Sequence, residues 1–165
     1  MEFDKWETVE LMIDLETQVG KIYSMFAEQF CEDRDFWARL AEEEMEHASL
    51  LRTHLEFLVE SKPVFDSLAP EKKETFLAVH RRITAILAEI KTVQVTRMDA
   101  HSVALQIEQS AGEAHFQETI ERDDPRVPVA VFANLASADK DHARRIQEHM
   151  GSIAADSSRA GGIAL

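Results

Sequence analysis

The 165-residue chain is 45% hydrophobic and 30% charged, with a formal net charge of -13. That acidity excludes a nucleic-acid surface, which needs a basic patch, and attraction to anionic membranes. The single cysteine, Cys31, excludes an internal disulfide and a Cys-x-x-Cys knuckle, and the scarcity of glycine (5) and proline (4) is a helical composition.

The length predicts one domain with a real core. The start, Met1-Glu2-Phe3-Asp4-Lys5-Trp6, has no basic stretch followed by an apolar run, and no apolar stretch is long enough to span a bilayer. The expected location is the cytoplasm, with Cys31 an ordinary reduced thiol.

A first helix is predicted over about 5–31, where Trp6, Val9, Met12, Ile13, Glu16, Val19, Ile22, Tyr23, Phe26 and Phe30 follow three-and-four spacing. Asp33 or Asp35 can cap a second helix over about 35–60, with Phe36, Trp37, Leu40, Ala41, Glu44, His47, Leu51, Leu55 and Leu58 as its inner stripe. Ser61-Lys62-Pro63 stops it. Pro70 opens a third helical stretch, with Phe76, Val79, Ile83, Ile86, Leu87 and Ile90 as its apolar face. That face lacks a carboxylate–imidazole pair, so this segment is read as a crossover element within 61–98. Thr96 or Asp99 can cap a fourth helix over about 99–122, and a loop at 123–128 precedes a fifth over about 127–149. Residues 151–165 read as a flexible tail, with a short docking peptide as the alternative for 157–165.

Two segments repeat one spacing. Glu44-Met45-Glu46-His47 has a further histidine, His54, seven residues after His47; Asp139-Lys140-Asp141-His142 is followed by His149 at the same distance. Each follows a Leu-Ala pair, Leu40-Ala41 and Leu135-Ala136. A carboxylate and an imidazole three apart lie on one helix face. Glu16-x-x-x-Gly20-x-x-Tyr23 and Glu108-x-x-x-Gly112-x-x-His115 form a second repeat on the helices before them. The order is Glu-helix, paired helix, crossover, Glu-helix, paired helix. An approximate two-fold axis through a four-helix bundle would leave this order, and one Glu from each of two helices plus a Glu-x-x-His from each of the others can hold two metal ions. The metal candidates are therefore Glu16, Glu44, His47, Glu108, Asp139 and His142. A mixed oxygen and imidazole set without sulfur suits iron or manganese, with zinc able to compete. A solvated surface pair is the bland alternative for any single Glu-x-x-His.

Glu42, Glu43 and Glu46 fall off the inner stripe and are expected in solvent. His54 and His149 are expected as polar groups near the bundle end, with an auxiliary metal site as the alternative. His80 and His101 are given no role. Met25, Met45 and Met98 are expected to fill the core. Gly20 and Gly112 either permit close helix packing or leave room for a small oxidant.

The stretches Leu40-Ala41-Glu42-Glu43-Glu44-Met45-Glu46-His47-Ala48 and Val103-Ala104-Leu105-Gln106-Ile107-Glu108-Gln109-Ser110-Ala111 resemble the ferritin-like superfamily, specifically rubrerythrin-type di-iron proteins. The resemblance covers roughly 5–60 and 99–149. It implies an all-α ferritin-like four-helix bundle over 1–150, with a helical crossover between helices 2 and 3. It implies two iron ions, Glu44 and Glu108 bridging them, Glu16 and Asp139 as terminal ligands, and a histidine on each. Tyr23 would hydrogen-bond a ligand carboxylate. A homodimer and an external electron donor are implied, since the chain carries no rubredoxin-type cysteines. The implied activity is reduction of hydrogen peroxide or dioxygen, with ferritin-like iron oxidation and storage, or a non-enzymatic helical interaction module, as alternatives. The chain departs from the family in having Asp139 where a Glu is expected and Ala111 where rubrerythrins carry an extra Glu.

Overall fold

The computed structural model describes residues 5–54, 70–115 and 128–160. These residues form five α-helices and one 3₁₀ turn, and no strand occurs among them. Helix α1 spans Lys5–Gln29, the turn Cys31–Asp33, α2 Arg34–Thr53, α3 Pro70–Ile90, α4 Arg97–His115 and α5 Pro128–Ala160. None of them is long and apolar enough to cross a membrane.

The apolar stripes place these helices. In α1, Val9, Met12, Ile13, Val19, Ile22, Tyr23 and Phe26 are buried at three-and-four spacing, and Trp37, Leu40, Ala41, Ala48 and Leu51 form the matching face of α2. The most extensive helix contacts are α1 along α2 and α4 along α5; α3 touches α1 and α4, and smaller contacts join α2 to α5 and α1 to α4. Of the predicted crossover stripe, Ile83, Leu87 and Ile90 are buried and Val79 and Ile86 pack against the core. Phe76, Leu55 and Leu58 lie outside the described side chains.

The core has two apolar layers. One gathers Leu15, Val19, Ile22, Tyr23, Phe26, Trp37, Leu40, Ile83, Ala104, Ile107 and Ile146. The other gathers Val9, Met12, Ile13, Ala48, Leu51, Leu135 and Ala136. Both repeated Leu-Ala pairs are buried, as their equivalent positions predict. On each helix the repeated ligand candidates fall between or beside these layers, so their surroundings are stripped of water.

Close approach of α1 and α2 depends on Gly20. A Cβ there would meet Met45 Cε at 3.0 Å, Ala41 O at 3.2 Å and Glu44 Cβ at 3.3 Å. The Met45 tip can move, but the Ala41 carbonyl belongs to the facing helix. Packing is thus the reading the structure favours for this glycine. Gly20→Ala gains about 1 kcal/mol of helix propensity and loses about 1–3 kcal/mol to overpacking. The expected net is a destabilisation of about 1 kcal/mol in urea unfolding, rising for Gly20→Val; equal stability of all three proteins would rule out the steric account.

Two of three helix-end expectations turn out differently. Asp33 precedes α2, but its side chain makes no capping hydrogen bond. Its carboxylate is taken by distant partners instead. At α4 the cap is as predicted: Thr96 Oγ1 donates to Asp99 Oδ2 at 2.6 Å, and the Asp99 amide donates back to Thr96 Oγ1 at 3.2 Å. Helix α5 does not stop at 149 but continues through Gly151 to Ala160, with Ile153 buried. The region expected to be tail is therefore helical as far as 160, and residues 161–165 lie outside the described set. Met45 and Met98, expected in the core, are each 39% exposed, whereas Met25 packs against it.

Candidate metal centre

The structure brings the predicted ligands together. Glu16, Glu44, Glu108, Asp139 and His142 are buried and His47 is half-buried. Glu16, Glu44 and His47 form one group able to hold a metal ion, and Glu44, Glu108 and His142 form another, each with donor atoms within 4.8 Å. Glu44 belongs to both. One helical turn separates each carboxylate from its histidine, which turns both side chains of α2 and both of α5 toward the same interior. Asp139 belongs to neither triad, but lies close enough for Glu16, Glu108 and Glu44 to act on its carboxyl.

His47 Nδ1 is 3.1 Å from Glu44 Oε2 and 3.8 Å from Glu16 Oε2. His142 Nδ1 is 2.8 Å from Glu44 Oε1 and 3.6 Å from Glu108 Oε1, but not aligned for a hydrogen bond with either. The two imidazoles stack with centroids 5.5 Å apart. Both therefore turn Nδ1 toward the carboxylates. Tyr23, fully buried, donates its hydroxyl to Glu108 Oε1 in a short hydrogen bond.

Protons stand where cations could. Burial would lower both histidines, but Glu16 and Glu44 raise His47 to about 10, and Glu108 and Glu44 raise His142 to about 11. Burial pushes the Asp139 carboxyl well above its ordinary range, reinforced by Glu16, Glu108 and Glu44. Glu44 is lowered despite burial and Glu108, because His142 and His47 favour its anion. Burial, with Glu108 and Glu44 beside it, also raises the Tyr23 hydroxyl, which stays protonated. Two histidine protons, and an Asp139 carboxyl that resists ionisation, thus offset the crowded carboxylates.

Two buried atoms, Asp139 Oδ2 and His142 Nδ1, have no hydrogen-bond partner. A buried Asp139 oxygen without a hydrogen-bond partner, beside three other carboxylates and two histidines, fits divalent cations better than a closed ion-pair network. These residues accordingly fit metal ions, and Glu44 is common to both groups.

Glu43 corrects the expectation of a solvated residue. Its Oε2 accepts from His142 Nε2 at 3.0 Å, and Arg145 donates to both of its oxygens. Arg39 Nε adds a bond to Oε1 at 3.1 Å. Burial would raise this carboxyl, but Arg145 and Arg39 hold it below its usual range. Glu43 thus ties the outer nitrogen of His142 across 99 residues of sequence. The only local hint was Arg39 four residues before it.

A second cluster also departs from expectation. His101, given no role, is fully buried, and with Asp33 and His149 forms a third group whose donor atoms lie within 4.8 Å. His54, half-buried at the end of α2, joins no such group among the described residues. His80 bonds Asp14 at 2.8 Å, joining α3 to α1. His115 and Gly112 lie outside the described side chains. Cys31 is exposed and free. The described residues form an all-helical chain that carries carboxylate–histidine groups able to bind metal ions. No protein-family model, no curated protein and no solved structure matches this chain.

Proposed function

We propose that the chain is a dinuclear-metal oxidoreductase of the rubrerythrin-like kind, reducing hydrogen peroxide or dioxygen, and that its paired helices form a ferritin-like four-helix bundle with α3 as crossover. The observation that carries this reading is Glu44, shared by two buried carboxylate–histidine triads. Support for the bundle comes from the extensive α1–α2 and α4–α5 pairs joined by lesser contacts. Two iron ions, with manganese or zinc as competitors, would supply two-electron redox chemistry: hydrogen peroxide, two electrons from an external donor and two protons yield two waters.

The chain's own residues hold and tune the centre. Glu44 and Glu108 occupy the shared interior, while His47 and His142 each present Nδ1 to it. Glu16 and Asp139 contribute the outer carboxylates, Asp139 with a shorter reach than Glu. Tyr23 keeps a proton on its hydroxyl and orients Glu108. Both apolar layers exclude bulk water, which strengthens every charge interaction between them. A homodimer and a separate electron-donor protein complete the proposed system.

The test is metal content of protein purified without added metal, then peroxide consumption. About two irons per chain, and consumption faster than that of Glu44→Ala/Glu108→Ala, are expected. Wild type that consumes peroxide no faster than the double variant would end the redox reading; absence of metal even after anaerobic iron loading would leave a helical interaction module.

Glu43 offers a finer measure. Glu43→Gln keeps a side chain of the same size but weakens the hold on His142 Nε2. Metal affinity is expected to fall about 10–100-fold with helicity unchanged. Competition against a chromophoric chelator reads this directly; unchanged affinity would make Glu43 a purely structural partner of Arg145.

A further inference from the structure

We propose that Asp33, His101 and His149 form a second, mononuclear metal site, suited to zinc or another borderline divalent ion and independent of the interior carboxylates. Asp33 comes from the turn before α2, His101 from α4 and His149 from α5, and one donor atom of each lies within 4.8 Å of the others.

The arrangement of His101 is the decisive observation. Its Nδ1 lies 2.8 Å from the Arg97 carbonyl oxygen. A carbonyl only accepts, so Nδ1 carries the proton and Nε2 carries the lone pair in the neutral ring. That Nε2 is buried and has no partner. A metal-binding histidine has this form: one nitrogen donates to a backbone carbonyl, which fixes the tautomer, and the other is left free.

The remaining donors are held in place. Phe36 stacks on His149 at 4.2 Å and 7°, and on His101 at 5.9 Å and 17°. The two imidazoles lie 5.2 Å apart and 19° from parallel, with Trp37 backing His101 at 4.5 Å. His149 Nε2 is 2.8 Å from Asp33 Oδ1. The Asp33 side chain is fully buried, whereas that of His149 is 28% exposed, so the cluster has one side open to an arriving ion.

Arg97 sets the character of the site. Its Nε donates to Asp33 Oδ2 and its Nη2 to Oδ1, both at 2.5 Å. This fork keeps the carboxylate ionised and oriented, but shares its charge. A hard, oxygen-seeking ion such as magnesium gains little from one shared carboxylate. Two imidazoles and one oxygen favour zinc. An Arg97–Asp33–His149 clasp alone would explain the ion pairs, but not a desolvated, unpartnered His101 Nε2 beside them.

The experiment is a zinc titration of the full chain, followed at the histidine ring nitrogens by long-range proton–nitrogen NMR, with His101→Phe to assign the signal. Phenylalanine keeps the stacking while removing both nitrogens. Loss of the lone-pair-type Nε2 signal of His101 is expected as zinc is added, and one zinc fewer in equilibrium dialysis of His101→Phe. A His101 signal unmoved by excess zinc, or equal zinc stoichiometry in the two proteins, would overturn the proposal. Neither readout depends on Glu44 or Glu108, so failure here leaves the interior centre untouched, and the converse holds for Glu44→Ala/Glu108→Ala.

Discussion

Stripped of divalent ions, the protein is expected to lose stability as pH rises, and metal binding is expected to reverse that trend. His47 and His142 stand at about 10 and about 11 in the folded chain, above the ordinary 6.5. A raised histidine stabilises the fold fully below its unfolded value and ceases to do so as pH climbs through its folded value. Asp139 acts in the same direction, since its raised carboxyl makes ionisation in the folded state unfavourable from 3.8 upward. The melting temperature of chelated protein should therefore fall as pH is raised from about 6.5 toward 10.

Cations invert the sign because they replace those protons. Loading the interior near neutral pH should release about two protons per chain from His47 and His142, and the raised Asp139 carboxyl adds to them. Calorimetric titration in buffers of different ionisation enthalpy counts them. Asp139→Asn should release fewer, which asks whether this shorter carboxylate takes part. The gap in melting temperature between loaded and chelated protein should widen with pH. Proton release near zero, or a gap that closes at higher pH, would mean that the buried histidines are not where metal binds.

The interior set was legible because helical geometry is local. Glu44 with His47, and Asp139 with His142, needed only the rule that residues three apart share a face. The repeated Leu-Ala pairs carried the same message, since both are buried at equivalent positions beside the pairs. The bond from Tyr23 to a ligand carboxylate was implied by the family resemblance rather than by spacing, and the structure has Tyr23 donating to Glu108 on another helix. Apolar stripes at period 3.6 marked α1 to α3 for the same reason.

What was not legible depends on long-range pairing. Glu43 sits one residue off the inner stripe, and its link to His142 spans 99 residues. Asp33 looked like a helix cap because capping is the local rule for Asp before a helix. Arg97, 64 residues on, and His149, 116 residues on, outcompete the nearby amides for its carboxylate. His101 follows from the same docking, since its burial comes from Trp37 and Phe36 on α2. The run of α5 through Gly151 shows the complementary failure. Glycine costs a helix about 1 kcal/mol, an amount that helix continuity and burial of Ile153 can offset.

Asp33→Ala should be among the most damaging single changes in the chain, regardless of what the interior binds. The Asp33 side chain is fully buried and accepts two arginine bonds and one histidine bond. Through them one turn residue fastens the α1–α2 pair to α4 and α5. Burial would raise its carboxyl, but Arg97 and His149 overcome that and hold it at about 2. Breaking a fully buried pair costs about 3–5 kcal/mol, but the Arg97 side chain is 36% exposed and can turn to water. The expected loss is therefore roughly 2–3 kcal/mol by denaturant unfolding, in line with charge-assisted hydrogen bonds. The sign against pH also follows. A lowered carboxyl stabilises the fold above its unfolded value of 3.8 and ceases to as pH falls through about 2. The difference between wild type and Asp33→Ala should thus be full near neutrality and shrink under acid. Arg97→Lys should lie between them, because an ammonium replaces a two-point fork with a single charge. A loss below about 0.5 kcal/mol, the ordinary range for surface changes, would show that this turn does not fasten the helix pairs together.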